Sequence, residues 1–305
     1  ITLWILVIGL IAYTILDKWL NKPETSSYQD GSFHQTQLVN FQIPEGLSFA
    51  GEFAPTKRVD IRQRLDREYY AFIFGHAGTA LTLRKAKQWL PIFEKILKEK
   101  GVHEDFKFLP IIESNLSNAV SPAGAAGFWQ IMPEVAKYYG LEISEEVDER
   151  YHPIKSAYVA ATILKENYQK FGSWALAAAA YNAGAGYLEG VVNYQKSKSY
   201  YDLYLYPETS RYVIRLLAFK DIYQNAAKYG FAIKEDKFYY LEATKELKIT
   251  ESIEDLAIFA TEQGITYQKL LELNPWLKAK SLHIKEGKSY YIALPISAQP
   301  HKKST

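Results

Sequence analysis

The first residue whose setting suggests chemistry is an acid, Glu113, in the segment FLPIIESNLS (residues 108–117). Four apolar residues, 109–112, precede it directly. A carboxyl group among apolar neighbours loses solvation, which penalises its charged form and raises its pKa toward the range useful for proton donation near neutral pH. The alternative is an ordinary exposed glutamate on an amphipathic helix whose isoleucines point inward. Taken alone, the segment favours that alternative.

Three segments downstream change this interpretation, because each carries polar groups beside glycine or aromatic residues at a loop or a helix end. They are GFWQIM (127–132), AAYNAGAG (179–186) and ETSRYV (208–213). Together with the Glu-Ser pair of the first segment they form an ordered set. Such a set indicates a site assembled around Glu113.

The order ES, G-x-x-Q-x-M-P, AYNAG, ET-x-x-Y resembles the catalytic domain of lytic murein transglycosylases, and residues 58–231 most resemble the membrane-bound type D branch. The resemblance implies a mainly α, lysozyme-like fold and the glycan strand of peptidoglycan as substrate. It also implies cleavage of the β-1,4 bond between MurNAc and GlcNAc without water, leaving 1,6-anhydroMurNAc ends, by one glutamate.

The resemblance assigns Glu113 as a single acid and base. It would protonate the glycosidic oxygen and then accept the proton of the muramic 6-hydroxyl, which attacks the anomeric carbon. A hydrolase that inverts or forms a covalent intermediate needs a second carboxylate, whereas an intramolecular hydroxyl needs none. We expect the acids between residues 134 and 149 to be solvated, and Glu208 to pair with Arg211 or cap its helix.

The same resemblance implies six substrate-binding residues. They are Ser114, Gln130, Met132, Tyr181, Asn182 and Tyr212. Ser114 would contact an N-acetyl group, with helix termination as the alternative. Gln130 would bond sugar and Met132 would form an apolar floor, with core filling as its alternative.

The tyrosines and the asparagine of these motifs have implied roles as well. Tyr181 would orient Glu113 through its hydroxyl, and Tyr212 would reach the same carboxylate or the substrate. Asn182 would bond sugar or shape the turn. The chain departs from the commonest pattern at Phe128 and Trp129, where many relatives have Leu and Met.

Composition excludes several other classes of protein. The chain has 305 residues, a net charge of +2 from 36 basic and 34 acidic residues, no cysteine, and six scattered histidines. The interspersed charges predict no nucleic-acid partner. Without cysteine or a metal-ligand spacing, the sequence predicts no metal site, and it implies no cofactor. No protein partner in the cell-wall machinery is indicated.

The first twenty residues predict where in the cell the protein is located. Residues 1–16 carry no charge, and a bilayer-spanning helix needs roughly 20 apolar residues. We interpret residues 1–20 as an uncleaved membrane anchor, with a signal peptide as the alternative. Either places the remainder outside the cytoplasm, in the periplasm of a bacterial cell envelope. Residues 21–57 are predicted to be a linker, since they are polar without steady periodicity.

Residues 58–232 form the predicted helical domain, without obvious strands. The apolar spacing predicts helices over 60–72, 79–97, 105–114, 133–139, 153–169 and 209–229, and one more after Ser173. Pro91 should kink the second helix or start a new turn.

The sequence pattern differs over residues 233–296, where it predicts a strand, two helices and a second strand. This βααβ order resembles a LysM glycan-binding repeat, most clearly at Asn274-Pro275 and from Gly287 to Pro295. A glycan-binding module and a small stabilising appendage are both open interpretations. Residues 297–305 are predicted to be a flexible tail.

Two other functions stay open at this point. One is a hydrolytic muramidase of lysozyme type, which would add water to the product ends. The other is a non-catalytic protein that binds cell-wall glycan and keeps only the fold.

Overall fold

The structure, a computed structural model, describes residues 41–298, and helices dominate this part of the chain. The helices of the larger domain are α1 (Val59–Phe74), α2 (His76–Lys100), α3 (Leu109–Ser114), α4 (Pro133–Tyr138), α5 (Pro153–Phe171), α6 (Trp174–Ala183), α7 (Ala185–Gln195) and α8 (Pro207–Gln224). Short 3₁₀ turns occur at Glu104–Phe108, Glu149–Tyr151, Tyr200–Asp202, Ala226–Tyr229 and Glu235–Lys237. The predicted mainly α fold is confirmed.

Helix α6 lies at the centre of this domain and packs against both α5 and α8. Its residues 175–180 are all buried, and five of these six are alanines. Small side chains let the neighbouring helix backbones approach closely, and alanine also has the best helix propensity. Ser173 caps the helix by accepting a hydrogen bond from the backbone N–H of Leu176. The helix that carries the AYNAG segment is therefore fixed in the core.

Several predicted helix boundaries shift. Helix α2 runs through Pro91 without a break. The predicted helix 105–114 divides into a 3₁₀ turn and α3, and the predicted helix 209–229 begins at Pro207 and ends at Gln224. The sequence prediction missed α7, which follows α6 after only Gly184.

The linker predicted over residues 21–57 is wrong from residue 43 onward. A small antiparallel hairpin forms there, with strands β1 (Ser48–Phe49) and β2 (Glu52–Phe53). Phe49 is fully buried and meets Phe106 edge to face, with ring centroids 5.0 Å apart. The apolar residues of this segment are too irregularly spaced for a periodic signal, although they enter the core.

The same hairpin caps a helix of the core. The Glu52 carboxylate accepts hydrogen bonds from the Ser173 hydroxyl at 2.8 Å and from the backbone N–H of Ala175 at 3.1 Å. A carboxylate at a helix N-terminus satisfies unpaired backbone N–H groups and interacts favourably with the helix dipole. Residues 43–57 therefore belong to the folded domain.

The C-terminal module has the predicted βααβ order. Strand β3 (Thr244–Ile249) pairs antiparallel with β4 (Tyr290–Pro295), and α9 (Leu256–Glu262) and α10 (Tyr267–Leu273) lie between them in sequence. Asn274 is 1% exposed and joins a helix to a strand. Its side chain donates to the carbonyls of Leu270 and Ala293, at 2.9 and 2.8 Å, and accepts from the Ala293 N–H at 2.8 Å.

Residues 142–151 join the larger domain to the C-terminal module. Val147 is 1% exposed and packs within the apolar core of the C-terminal module. The Asp148 N–H donates to the Trp276 carbonyl at 2.9 Å, and the Lys278 N–H donates to the Glu146 carbonyl at 2.8 Å. The module therefore shares a core with the larger domain at this segment.

The expectation that the acids between 134 and 149 are solvated is wrong for most of this segment. Asp148 and Glu149 are each 7% exposed. Glu146 accepts hydrogen bonds from the Ser281 hydroxyl at 2.7 Å and the His283 N–H at 2.9 Å, and Glu142 pairs with Lys288. Glu142 and Glu146 thus bond residues of the C-terminal module, more than a hundred positions further along the chain, whereas Asp148 pairs with Arg150 and Glu149 with Lys155.

The predicted membrane segment 1–20, most of the predicted linker and most of the predicted tail lie outside the described residues. Within residues 41–298, no helix combines the length and the apolar character that crossing a bilayer requires.

The shared core predicts that a charge at Val147 destabilises the protein. We expect Val147→Asp to lower the free energy of unfolding by about 3 kcal/mol, because it buries an unpaired carboxylate. Ile258→Asp, at a 61% exposed site of the same module, should change it by less than about 0.5 kcal/mol. Urea unfolding of both variants measures the difference, and equal effects would contradict the shared core.

Candidate active site

Glu113 lies in the last turn of α3, a helix of six residues. Pro110, the second residue of the helix, is well placed, since a first-turn residue needs no backbone N–H donor. The helix ends at Asn115 and Leu116, whose φ angles of 52° and 53° are both left-handed. This abrupt reversal ends the helix immediately after the acid.

The Glu113 carboxyl accepts a hydrogen bond from the hydroxyl of Tyr212, which lies on α8 and is 2% exposed. Burial raises the pKa of Glu113 to about 7, while the Tyr212 hydrogen bond lowers it, the charge of Glu208 raises it and that of Arg215 lowers it. A carboxyl group with this pKa exists in both protonation states near neutral pH. It can therefore donate a proton and take one back.

Tyr181 does not donate to Glu113, so the predicted bond from its hydroxyl is wrong. A phenol has one proton to donate, and here it goes to the backbone carbonyl of Trp129 at 2.7 Å. The Glu113 charge still raises the pKa of Tyr181, after the larger effect of burial, so the two groups are close. Tyr181 therefore holds the loop of residues 115–132, which follows the acid in the chain.

Ser114 contacts the same loop at the neighbouring residue, Phe128. Its side chain is buried, and its hydroxyl makes contacts of 2.9 Å with the Phe128 carbonyl and 3.0 Å with the Pro110 carbonyl. It also accepts from the Ser117 N–H at 3.3 Å. These contacts agree with the helix-terminating alternative, and the hydroxyl is occupied within the protein.

Gln130 has a left-handed backbone, with φ of 47°. Its side-chain amide nitrogen donates to the carbonyls of Ala119 at 3.0 Å and Gly127 at 2.8 Å. Within residues 41–298 its Oε1 accepts no hydrogen bond, so this atom can accept one from a ligand. Met132, in the same loop, is 36% exposed and adds an apolar surface.

Phe128 and Trp129, the departures from the commonest family pattern, both turn into the core. Trp129 is fully buried, and its ring meets that of Phe93 edge to face with centroids 5.1 Å apart. Phe128 meets Trp89 in the same manner at 5.1 Å. Their bulk fills the interior.

Arg150 anchors this loop to the segment that enters the C-terminal module. Its guanidinium donates to the carbonyls of Gly124 at 2.8 Å and Ile131 at 3.3 Å, and it pairs with Asp148 at 2.7 Å. A Cβ at Gly127 would lie 2.0 Å from the Arg150 carbonyl oxygen, so only glycine fits there. Arg150 thus holds the loop at residues other than the one that Tyr181 bonds.

Asn182 and Glu208 lie beside each other between α6 and α8. The Thr209 hydroxyl donates to Asn182 Oδ1 at 2.8 Å, and the Asn182 amide lies 3.5 Å from Glu208. The predicted pairing of Glu208 with Arg211 is wrong, because Arg211 pairs with Glu68 at 2.6 Å. Glu208 is exposed in the first turn of α8, and among the described residues it makes no capping hydrogen bond.

The sequence prediction missed Glu68 and Arg215, and it paired Arg211 with Glu208 instead of Glu68. The two arginines stand four residues apart on α8, on either side of Tyr212, and this i, i+4 spacing was the available signal. Glu68 is 1% exposed and gives no local signal, since its partners are 143 and 147 residues away in sequence.

Within the described part of the chain, no group of three or more histidine, aspartate or glutamate side chains is arranged to hold a metal ion.

Comparison with known families gives two matches. Residues 91–204 match the family described as "Transglycosylase SLT domain", and residues 245–298 match "Soluble lytic transglycosylase C-terminal LysM-like domain". The first match contains Glu113 and the Gln130 and Tyr181 segments, and it ends before Tyr212.

Among curated proteins, the chain is similar to membrane-bound lytic murein transglycosylase D of Escherichia coli (strain K12). The two are 30% identical over 192 residues, which cover 61% of this chain and 42% of the relative. The chain thus matches less than half of that protein's length.

Two solved structures are also similar to the chain. The 70 kDa soluble lytic transglycosylase of Escherichia coli is 20% identical with a TM-score of 0.38, over 50% of this chain and 26% of that one. The lytic transglycosylase Slt of Pseudomonas aeruginosa is 23% identical with a TM-score of 0.35, over 48% of this chain and 26% of that one.

The two tyrosines should affect Glu113 differently. We expect Tyr212→Phe to raise the pKa of Glu113 by about one pH unit, because it removes a hydrogen bond that stabilises the charged carboxylate. Tyr181→Phe, the matched control, should leave that pKa unchanged, since its hydroxyl bonds Trp129. Carboxyl-carbon NMR titration of ¹³C-glutamate-labelled protein, assigned with Glu113→Gln, measures both. Equal shifts in the two variants would contradict the assignment.

Proposed function

We propose that this chain, which carries an SLT-type transglycosylase domain followed by a LysM-like domain, is a peptidoglycan lytic transglycosylase. It would cleave the β-1,4 bond between MurNAc and GlcNAc and leave 1,6-anhydroMurNAc ends. The observation that carries the proposal is Glu113, partly buried, hydrogen-bonded to Tyr212 and with a pKa of about 7. The similarity to the curated murein transglycosylase supports the choice of substrate.

Glu113 performs both proton transfers in this proposal. In its protonated form it donates to the glycosidic oxygen as the bond from that oxygen to the anomeric carbon breaks. The resulting carboxylate then takes the proton of the muramic 6-hydroxyl, whose oxygen forms the new bond to the anomeric carbon. Glu113 thus donates one proton and accepts one, so it ends protonated and the reaction consumes no water.

The second acid that a hydrolase requires has only one candidate near Glu113. Within residues 41–298, Glu208 is the one acid whose charge shifts the pKa of Glu113, and it is exposed beside Asn182. Within the same residues the Glu208 carboxylate is hydrogen-bonded only to the Asn182 amide, at 3.5 Å, so no hydrogen bond joins it to Glu113 as a paired acid. This supports the non-hydrolytic reaction.

We also propose where the protein acts. Residues 1–20 would anchor or target it to the envelope, with residues 58–232 as the transglycosylase domain in the periplasm. The module 233–296 would then be carried close to the catalytic domain, since its core includes Val147. Peptidoglycan strands are the proposed partner of both domains.

Replacing the proposed acid should abolish cleavage. We expect Glu113→Gln to reduce the rate on purified peptidoglycan by at least about a hundredfold, because glutamine keeps the size but cannot transfer the proton. Glu104→Gln serves as a matched control on the adjacent 3₁₀ turn. Mass spectrometry of the fragments identifies the reaction, since anhydro ends lack the water that hydrolysed ends contain. Reducing ends would indicate a muramidase, and no fragments from wild type would indicate a binding protein.

The cleavage rate should also fall as the pH rises. Because the free enzyme needs protonated Glu113, kcat/KM should fall by about tenfold per pH unit above the pKa of about 7, and should level off below it. Turbidity loss of peptidoglycan suspensions between roughly pH 5 and 9 measures this profile. An activity that is constant across that range would contradict proton donation by this carboxyl.

A further inference from the structure

A short segment of the larger domain, residues 142–149, folds back on itself and contacts the C-terminal module. It is closed by an antiparallel bridge between Ile143 and Asp148, and a second antiparallel bridge joins Val147 to Leu277 of the module. Val147 is 1% exposed and lies in the apolar core of the module. We call residues 142–149 the docking segment. Its backbone position is set by both parts of the chain.

Polar side chains hold the same junction. The Tyr290 hydroxyl donates to the Glu142 carboxylate at 3.0 Å. The Lys278 ammonium lies 3.8 Å from the centre of the Tyr151 ring, within the range of a cation–π contact. Backbone, apolar and charged contacts thus meet in one place, so the module is attached by a packed contact as well as by the covalent chain.

Asp148 and Arg150 lead from this junction to the active site. The Asp148 N–H donates to the Trp276 carbonyl at 2.9 Å, and the Asp148 carboxylate accepts a fork from Arg150, from Nε at 3.0 Å and from Nη2 at 2.7 Å. The third nitrogen, Nη1, donates to the carbonyls of Gly124 at 2.8 Å and Ile131 at 3.3 Å. Both charged side chains are nearly buried, and such a pair cannot lose one partner without leaving an uncompensated charge. A displacement of Asp148 therefore moves the guanidinium and the loop that it holds.

The loop of residues 115–132 depends on such bonds because its backbone is strained at Gln130. A φ of 47° is costly for a residue with a side chain and persists only where the surrounding structure fixes it. The Gln130 amide nitrogen is held by the carbonyl of Gly127 at 2.8 Å. Its Oε1 accepts no hydrogen bond within the described residues, so it is available to a sugar hydroxyl. Because Ile131 is the next residue, the bond from Arg150 helps to fix the direction of Oε1.

We propose that Arg150 is a positioning residue for substrate binding and that the C-terminal module acts on the active site through it. The contact at Val147 fixes Asp148, which fixes Arg150. Arg150 in turn fixes the loop that carries Gln130. The proposal rests on the proposed function, and it gives the module a role in the reaction for which the module need not bind glycan. The proposed acid lies on α3, outside this loop, so substrate binding depends on the module more than proton transfer does.

A double-mutant cycle on the full chain tests this chain of contacts. We expect Arg150→Gln to raise KM for soluble glycan strands about tenfold while kcat stays within about twofold, because the loop binds substrate and transfers no proton. Val147→Ala should raise KM about threefold in wild type and leave it unchanged in Arg150→Gln, since both changes act through the same contacts. Independent effects that multiply in the double variant would overturn the proposal.

Two control variants separate positioning from a general loss of stability. Ile292→Val removes one methylene from the same module core, where Ile292 is fully buried, and should leave KM unchanged. Arg62→Gln removes an exposed charge from α1 and should change neither kinetic constant. Thermal unfolding measures the stability of each variant. If Ile292→Val raises KM as much as Val147→Ala does, the module acts only through stability and the proposal is overturned.

The side-chain amide of Gln130 gives a readout that does not require catalysis. In the ¹⁵N-labelled full chain its N–H signals, assigned with Gln130→Ala, should shift toward those of solvent-exposed glutamines in Arg150→Gln and in Val147→Ala. Ile292→Val should leave them in place. Signals that stay in place in Arg150→Gln would overturn the positioning role. Shifted signals together with no cleavage by wild type would support the coupling and overturn the proposed function instead.

Discussion

The hydrogen bond from the Tyr212 hydroxyl to the Glu113 carboxyl is the interaction on which the site depends. Burial favours the neutral acid and raises the pKa of Glu113, whereas the hydrogen bond from Tyr212 stabilises the carboxylate and lowers it. The pKa of about 7 results from these opposing effects. The two residues are 99 positions apart on α3 and α8. Holding them together requires α8 to pack tightly in the core, and the alanine face of α6 permits that packing.

The loop beside Glu113 is held mainly through backbone carbonyls. Tyr181 bonds the carbonyl of Trp129, Ser114 that of Phe128, and Arg150 those of Gly124 and Ile131. Bonds to the backbone do not depend on which side chain stands at each position. Phe128 and Trp129 therefore place their rings in the core while their carbonyls bond Ser114 and Tyr181. Through Asp148 and Arg150, the C-terminal module also contributes to this loop.

The sequence supports the helical fold class, the βααβ module and a cluster of polar motifs around Glu113. These predictions succeed where the signal is local, as in the periodic apolar residues of α5 or the helix-ending glycine at position 172. The hairpin at Ser48–Phe53 and the burial of residues 43–57 escape prediction because their apolar residues follow no period. Helix α7 escapes because its weak periodicity resembles a loop after Gly184.

Ion pairs between residues far apart in the chain could not be predicted from the sequence. Glu142 and Glu146 stand in a polar segment typical of a solvated surface, and their partners arrive from residues 281–290. Glu68 likewise depends on arginines of α8. A buried carboxylate is tolerated only with such a partner, because leaving it unpaired costs several kcal/mol. Residue types therefore identify Glu113 through its motif, whereas the arginine pair beside it becomes visible only when α1 and α8 are brought together.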